Sequence, residues 1–196
     1  MAKPDPEESR RRWMAGGAIV AITAVTGAVL FANGQPLWCE CGSYSPWSSE
    51  IWSEHNSQHL ADPYSFTHVL HGLIFFAMLR AVFGEGRIEL RIVLATAAEA
   101  AWELVENSKA VIDAYRESTI SLDYYGDSVM NVVGDLGAML LGYAIAAAVP
   151  VWASVAGFAL TEIFLALWIR DGLILNVIML TWPIEAIKQW QMAGAP

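Results

Sequence analysis

Basic residues are scarce in this chain. Lysine and arginine number 11 against 20 aspartates and glutamates, for a net charge of −9 over 196 residues. So small a cationic complement excludes nucleic-acid binding, which relies on a clustered basic face. Cysteine is scarcer still, with Cys39 and Cys41 alone, in Trp-Cys-Glu-Cys-Gly. Cys-x-Cys is neither the Cys-x-x-Cys of zinc and redox motifs nor a haem-attachment pattern. A disulfide closing so short a loop would be strained. Two unpaired small residues are therefore expected, with an oxidised pair the alternative if the loop is external. Also lacking are a Gly-x-Ser-x-Gly elbow, a His-Glu-x-x-His pair and a phosphate-binding loop.

Apolar sequence is what the chain has in quantity. Hydrophobic residues make up 56% and the mean hydropathy is +0.41, above an ordinary soluble domain. The hydrophobic runs predict an all-α, polytopic membrane helix bundle of about six transmembrane helices. A polar cytoplasmic tail over 1–12 would precede a single bundle domain over 13–190, with a periplasmic loop at 34–64. Trp13 to Ala32 follows Arg10-Arg11-Arg12, and no small-x-small cleavage site follows it, so it reads as an uncleaved first helix. The 34–64 loop carries Trp38, Trp47 and Trp52, which suit a bilayer surface. It also carries His55 and His59, with a short interfacial helix expected within 47–60. Asp62-Pro63-Tyr64-Ser65 reads as a turn and N-cap.

Helices are expected at roughly 65–83, 88–112, 127–148 and 152–169, with a second polar loop at 114–126. The last run, from Leu173 to about Ile187, is short for a span and reads as tilted, kinked or partly re-entrant. Six spans with the N-terminus inside put Lys3, Arg10, Arg11, Arg12, Arg80, Arg87, Arg91 and Lys188 on the inner side. Lys109, Arg116 and Arg170 fall outside. The positive-inside preference supports this topology, with both termini cytoplasmic in a cell inner membrane.

That topology gathers the unusual residues at one end. His68 and His71, three apart, share a helix face near the outer leaflet. Glu99, Glu103 and Glu106 form one stripe, and Asp127, Asn131 and Asp135 another. Gly134, Gly137, Ala138 and Gly142 would allow close helix approach. Ionisable groups in a bilayer are costly and normally face an interior or a wet cavity. Imidazoles with carboxylates suit a divalent metal such as zinc, with His68, His71 and Glu99 as candidate ligands. Glu103, Glu106 and Asp127 are candidate catalytic acids and bases. The bland reading of the same residues is hydrogen bonding between helices, interface charges and helix caps. Glu162 has no assigned role.

Three segments carry a resemblance. They are Ser57 to Gly72, with His59, Asp62-Pro63-Tyr64-Ser65 and His68-Val69-Leu70-His71-Gly72; Trp102-Glu103-Leu104-Val105-Glu106-Asn107-Ser108; and Ile120 to Asn131, with Asp123-Tyr124-Tyr125-Gly126-Asp127. Together they resemble an uncharacterised bacterial multi-pass inner-membrane family, domain of unknown function 2585, over about residues 15 to 190. The resemblance implies a location and no activity. The motif Asp127-x-x-x-Asn131-x-x-Gly134 is similar to one helix of VanZ-like membrane proteins, and no catalytic residue transfers from it.

Three functional readings follow. The first is an outward-facing His/carboxylate site of a metal-dependent hydrolase or transferase, acting on a lipid or envelope precursor. The second is a non-enzymatic assembly or binding subunit with a membrane-protein partner. The third is a proton-coupled transporter, which would use the deeper acids Asp135 and Glu162. Membrane lipids are the expected surroundings in all three.

Overall fold

The computed structural model describes residues 5–118 and 124–194, and every regular element among them is a helix. Lys3 and, in the second polar loop, Ile120 to Asp123 lie outside the described residues. Helix α1 spans Pro6–Ala32, 27 residues or about 40 Å. Asp5 caps it, accepting the Glu7 amide at 3.0 Å, with Pro6 opening the helix and Glu7 and Glu8 in the first turn. Most of the polar segment expected as a tail is thus helical.

Helix α2 spans Ser65–Phe83 and closes on Gly84, whose φ of 72° lies in the left-handed region. The expected turn before it is present. The Asp62 carboxylate accepts the amides of Ser57, Tyr64 and Ser65 at 3.2, 2.7 and 3.2 Å. No interfacial helix forms within 47–60, where the chain runs in turns. Helix α3 covers Ile88–Glu106 and α4 covers Lys109–Ser118, where a single helix to 112 is expected from sequence. The break is at Asn107. Its side-chain nitrogen donates back to the Glu103 carbonyl at 3.0 Å, while its side-chain oxygen accepts the Asp127 amide at 2.7 Å.

Helix α5 covers Val129–Ala148 and is capped by Ser128, which accepts the Asn131 amide. Asp127 therefore precedes the helix instead of opening it. Pro150 leads into α6, Val151–Trp168. Helices α7, Leu173–Thr181, and α8, Glu185–Met192, complete the chain. Glu162 acquires a role here. Its two oxygens accept the Leu173 and Ile174 amides at 2.9 and 3.0 Å, placing an anion at the start of α7.

Four helices, α1, α2, α5 and α6, are long and apolar enough to cross a membrane. The expectation of six exceeds that number by two helices, α3 and α7. Helix α3 has the length but carries Glu89, Arg91, Glu99, Glu103 and Glu106. Helix α7 has nine residues, about 14 Å, roughly half a hydrocarbon core. The α7–α8 pair instead doubles back. Asp171, just before α7, accepts the side-chain amide of Gln191 in α8 at 3.1 Å and the Tyr64 hydroxyl at 3.1 Å. The first turns of α1 share a groove with Arg87 and Leu90, at the far end of the bundle. The start of α1 and the end of α8 thus lie at opposite ends of the bundle.

Helices α2 and α5 form the central pair. A Cβ on Gly72 would stand 2.1 Å from the Met139 carbonyl oxygen, and one on Gly142 would stand 2.0 Å from that of Val69. Around this contact Leu70, Leu73, Phe76, Ala95, Met139 and Tyr143 form the main core. Arg91 is buried against the Phe76 ring and donates to the Glu85 carbonyl. Outside the core, α6 buries only Leu165 and exposes Trp152, Val155, Leu160, Ile163 and Leu167. So long an apolar surface suits lipid rather than water.

Gly142→Ala should lower thermal stability in detergent by at least about 1–3 kcal/mol, since the clash is with backbone. Gly137→Ala, in the same helix with nothing within 4 Å, should be neutral or slightly stabilising. Burial raises the Asp171 carboxyl from 3.8 to about 7, against hydrogen bonds from Gly172, Tyr64 and Gln191. The folded state holds a proton that the unfolded chain releases, so stability should fall as pH rises through that interval. A melting series across it should flatten in Asp171→Asn.

Candidate metal and acid/base site

The site is built where α2 starts and α3 ends. One helical turn sets His68 and His71 on a common face, and the antiparallel α3 brings Glu99 and Glu103 opposite them. His68 Nδ1 lies 2.6 Å from Glu99 and 3.3 Å from Glu103, and its Nε2 lies 3.8 Å from Asp135 of α5. His71 Nδ1 is 3.0 Å from each Glu99 oxygen. The two imidazoles meet edge to face at 5.1 Å, and Trp102 stands edge-on to His71 at 6.3 Å. Glu99 and Glu103 are both fully buried. Asp135 accepts the Ser65 hydroxyl at 3.0 Å. Glu103 differs from these neighbours, because neither of its oxygens has a hydrogen-bond partner.

Glu106 and Asp127 form the adjoining layer. The Tyr115 hydroxyl bonds Glu106. Asp127 accepts the Asn107 side-chain nitrogen at 2.6 Å and the Tyr124 hydroxyl at 2.9 Å. Burial pushes the Asp127 carboxyl above the usual range, against the pull of those two bonds. Asp62, under the same outer loop, is raised to about 6 by burial despite its backbone donors.

Three ligand sets each offer donor atoms within 4.8 Å of one another: His68, His71 and Glu99; His68, Glu103 and Asp135; Glu103, Glu106 and Asp127. Consecutive sets share His68 and Glu103. The residues expected as metal ligands and those expected as catalytic acids are therefore one continuous cluster. Asn131 is not part of it, since its side-chain nitrogen donates to the His59 carbonyl at 2.8 Å and holds the outer loop. Every ion pair described for the cluster's acids is with histidine. Such a donor set suits a divalent cation or proton transfer.

A cavity of about 360 Å³ opens on the cluster. His68, His71 and Asp135 line it together with the apolar Val111, Leu173, Val177 and Leu180. Trp102 lines it as well. Sequence reasoning missed Asn107, Tyr115 and Tyr124. Their only signal was proximity to the acids, because their partners are 20, nine and three residues away.

A family model described as Protein of unknown function (DUF2585) matches residues 30–193. The chain belongs to this family. Its relatives include a UPF0314 protein of Paracoccus denitrificans, 51% identical over 84% of this chain and 85% of the relative. A UPF0314 protein of Brucella anthropi is 44% identical over 93% of each chain. One of Sphingopyxis alaskensis is 42% identical over 95% of this chain and 97% of the relative. No solved structure matches. The family model covers α2 through α8, and with them every residue of the cluster.

Two substitutions separate scaffold from site. Asn107→Ala strands buried partners on Asp127 and should cost about 1–3 kcal/mol of stability. Compared in metal-stripped protein, Glu103→Gln breaks no hydrogen bond and should melt at or above the parent temperature, as functional residues often do when neutralised. Paired melting curves in one detergent test both.

Proposed function

We propose that this DUF2585 member is a metal-dependent hydrolase or transferase of the bacterial inner membrane, acting on a lipid-like substrate or envelope precursor. The observation that carries the reading is Glu103. A fully buried carboxylate with neither oxygen hydrogen-bonded among the described residues, and only the 3.3 Å approach of His68 Nδ1 to offset its charge, is costly to keep, and it sits beside His68 and Asp135 in a ligand-like set. A cation there would satisfy it. His68, Glu103 and Asp135 would hold the metal, with His71 and Glu99 orienting His68. The metal would lower the pKa of a bound water. Glu106 and Asp127 then stand within reach to move a proton. The cavity, lined by both polar and apolar side chains, suits a molecule with a polar head and an acyl or prenyl tail.

The membrane placement has α1, α2, α3, α5 and α6 crossing, with the charges of α3 turned into the bundle. Lys3, Arg10, Arg11, Arg12, Arg80, Arg87 and Arg91, seven of the 11 cations, then lie inside. The cluster faces the periplasmic side with the α7–α8 hairpin over it, and the C-terminus is external. Exposed Trp13 and Trp152 mark one interface, and Trp47, stacked on Trp168, marks the other. The transport reading loses support, because Glu162 is engaged in capping α7.

Elemental analysis of the purified chain should find a divalent metal that is lost in both His68→Ala and Glu103→Ala. In vesicles of defined phospholipids, lipid products followed by mass spectrometry should fall by about 10²–10⁴-fold in Glu106→Gln or Asp127→Asn, the range for a general acid or base. Metal content unchanged by both ligand substitutions would sink the metal reading. A metal-free chain that retains a membrane-protein partner would favour the assembly subunit.

A further inference from the structure

A second donor cluster lies in the outer loop, apart from the first. Cys39 and Cys41 are joined as a disulfide, contrary to the expectation of separate thiols, their Cα atoms 5.3 Å apart, within disulfide reach. A disulfide accounts for the sulfurs and leaves the two histidines beside them unexplained. Cys39 Sγ is 3.5 Å from His55 Nδ1, Cys41 Sγ is 4.0 Å from His59 Nε2, and those two nitrogens are 3.3 Å apart. All four donor atoms lie within 4.8 Å of one another. Zinc bonds of about 2.3 Å to sulfur and 2.0–2.1 Å to nitrogen place tetrahedral donors roughly 3.3–3.8 Å apart. The nitrogen–nitrogen edge and the Cys39–His55 edge already have that size, and the Cys41–His59 edge, at 4.0 Å, is slightly longer.

Two further contacts point to a ligand. His59 Nδ1 is 2.7 Å from the Ser45 carbonyl. A ring N–H there leaves Nε2 as a lone pair aimed into the cluster, the arrangement of a metal-bound imidazole. The amides of Cys41 and Ser43 approach the sulfurs of Cys39 and Cys41 at 3.3 and 3.4 Å, where they would stabilise thiolates. His59 is 2% exposed, so the cluster is backed by protein.

We propose that Cys39, Cys41, His55 and His59, with the cysteines reduced, form a four-coordinate site for a zinc-like divalent cation that staples the outer loop. Opening the disulfide takes two electrons and two protons: a dithiol supplies both and becomes a disulfide, whereas a phosphine supplies the electrons, becomes its oxide and draws the oxygen and both protons from water. Metal binding then releases the two thiol protons. The site has a structural consequence. Gln58 and His59 hold α5 through their carbonyls, which accept Ser128 Oγ and Asn131 Nδ2 at 3.0 and 2.8 Å. The Leu60 carbonyl rests on Gly134, where a Cβ would stand 1.7 Å away. The staple therefore fixes the segment that roofs the first cluster.

Cobalt(II) is the probe. The full-length protein in detergent, reduced with a phosphine and stripped of metal, should bind Co²⁺ with sulfur-to-cobalt charge-transfer absorption and intense tetrahedral d–d bands. Zinc should displace it stoichiometrically. Both features should be missing before reduction, in Cys39→Ser/Cys41→Ser, and largely in His59→Ala. The bands should persist in His68→Ala, which separates this site from the cluster beneath it. Reduced wild-type protein without thiolate charge transfer, or bands unchanged in the double serine variant, would overturn the proposal. The reading rests on the wild-type spectrum, so a misfolded variant does not decide it.

Discussion

The backbone contact between α2 and α5 sets the geometry of everything above it. At Gly72 and Gly142 each helix presses on a carbonyl of the other, with no room for a side chain between them. Helices this close bring residues of their outer turns within reach of one another. His68 thereby comes to 3.8 Å from Asp135, and Ser65 to hydrogen-bonding distance of the same carboxylate. Small residues elsewhere do not act this way. Gly137 faces open space, whereas Gly134 receives the outer loop.

Around this pair the remaining polar groups obey a single demand, that each buried donor or acceptor find a partner when no water is near. Asn107 meets it by breaking a helix. One side chain ends α3, receives the Asp127 amide and donates to the Asp127 carboxylate. Glu162 meets it by starting α7, and Asp171 by tying α8 back to the entrance of α2. These are scaffold roles. Among the acids of the His/carboxylate cluster Glu103 is the one with neither oxygen hydrogen-bonded within the described residues, which marks a place where stability has yielded to some other requirement.

The two donor clusters are stacked along one path. The outer loop holds the Cys/His group, its next residues clamp the start of α5, and α5 carries Asp135 into the His/carboxylate group beneath. Helix α7 supplies Leu173, Val177 and Leu180 to the lining of the cavity beside the His/carboxylate group.

The residue pattern alone determined the all-helical class, the lipid-facing runs, and the meeting of His68, His71, Glu99 and Glu103 at one end. Periodicity and hydrophobicity are local quantities, and helices in an apolar solvent have few ways to hide their charges. Other features were decided only in three dimensions: the break at Asn107, the departure of Asn131 to the loop, the turned-back C-terminus and the approach of His55 and His59 to Cys39 and Cys41. Each rests on a partner distant in the chain or on a loop whose path no period encodes. The number of crossings went astray for a related reason. Hydropathy runs Leu173 to Ile187 together as one stretch, without knowing of the turn between α7 and α8 that the Asp171–Gln191 hydrogen bond closes.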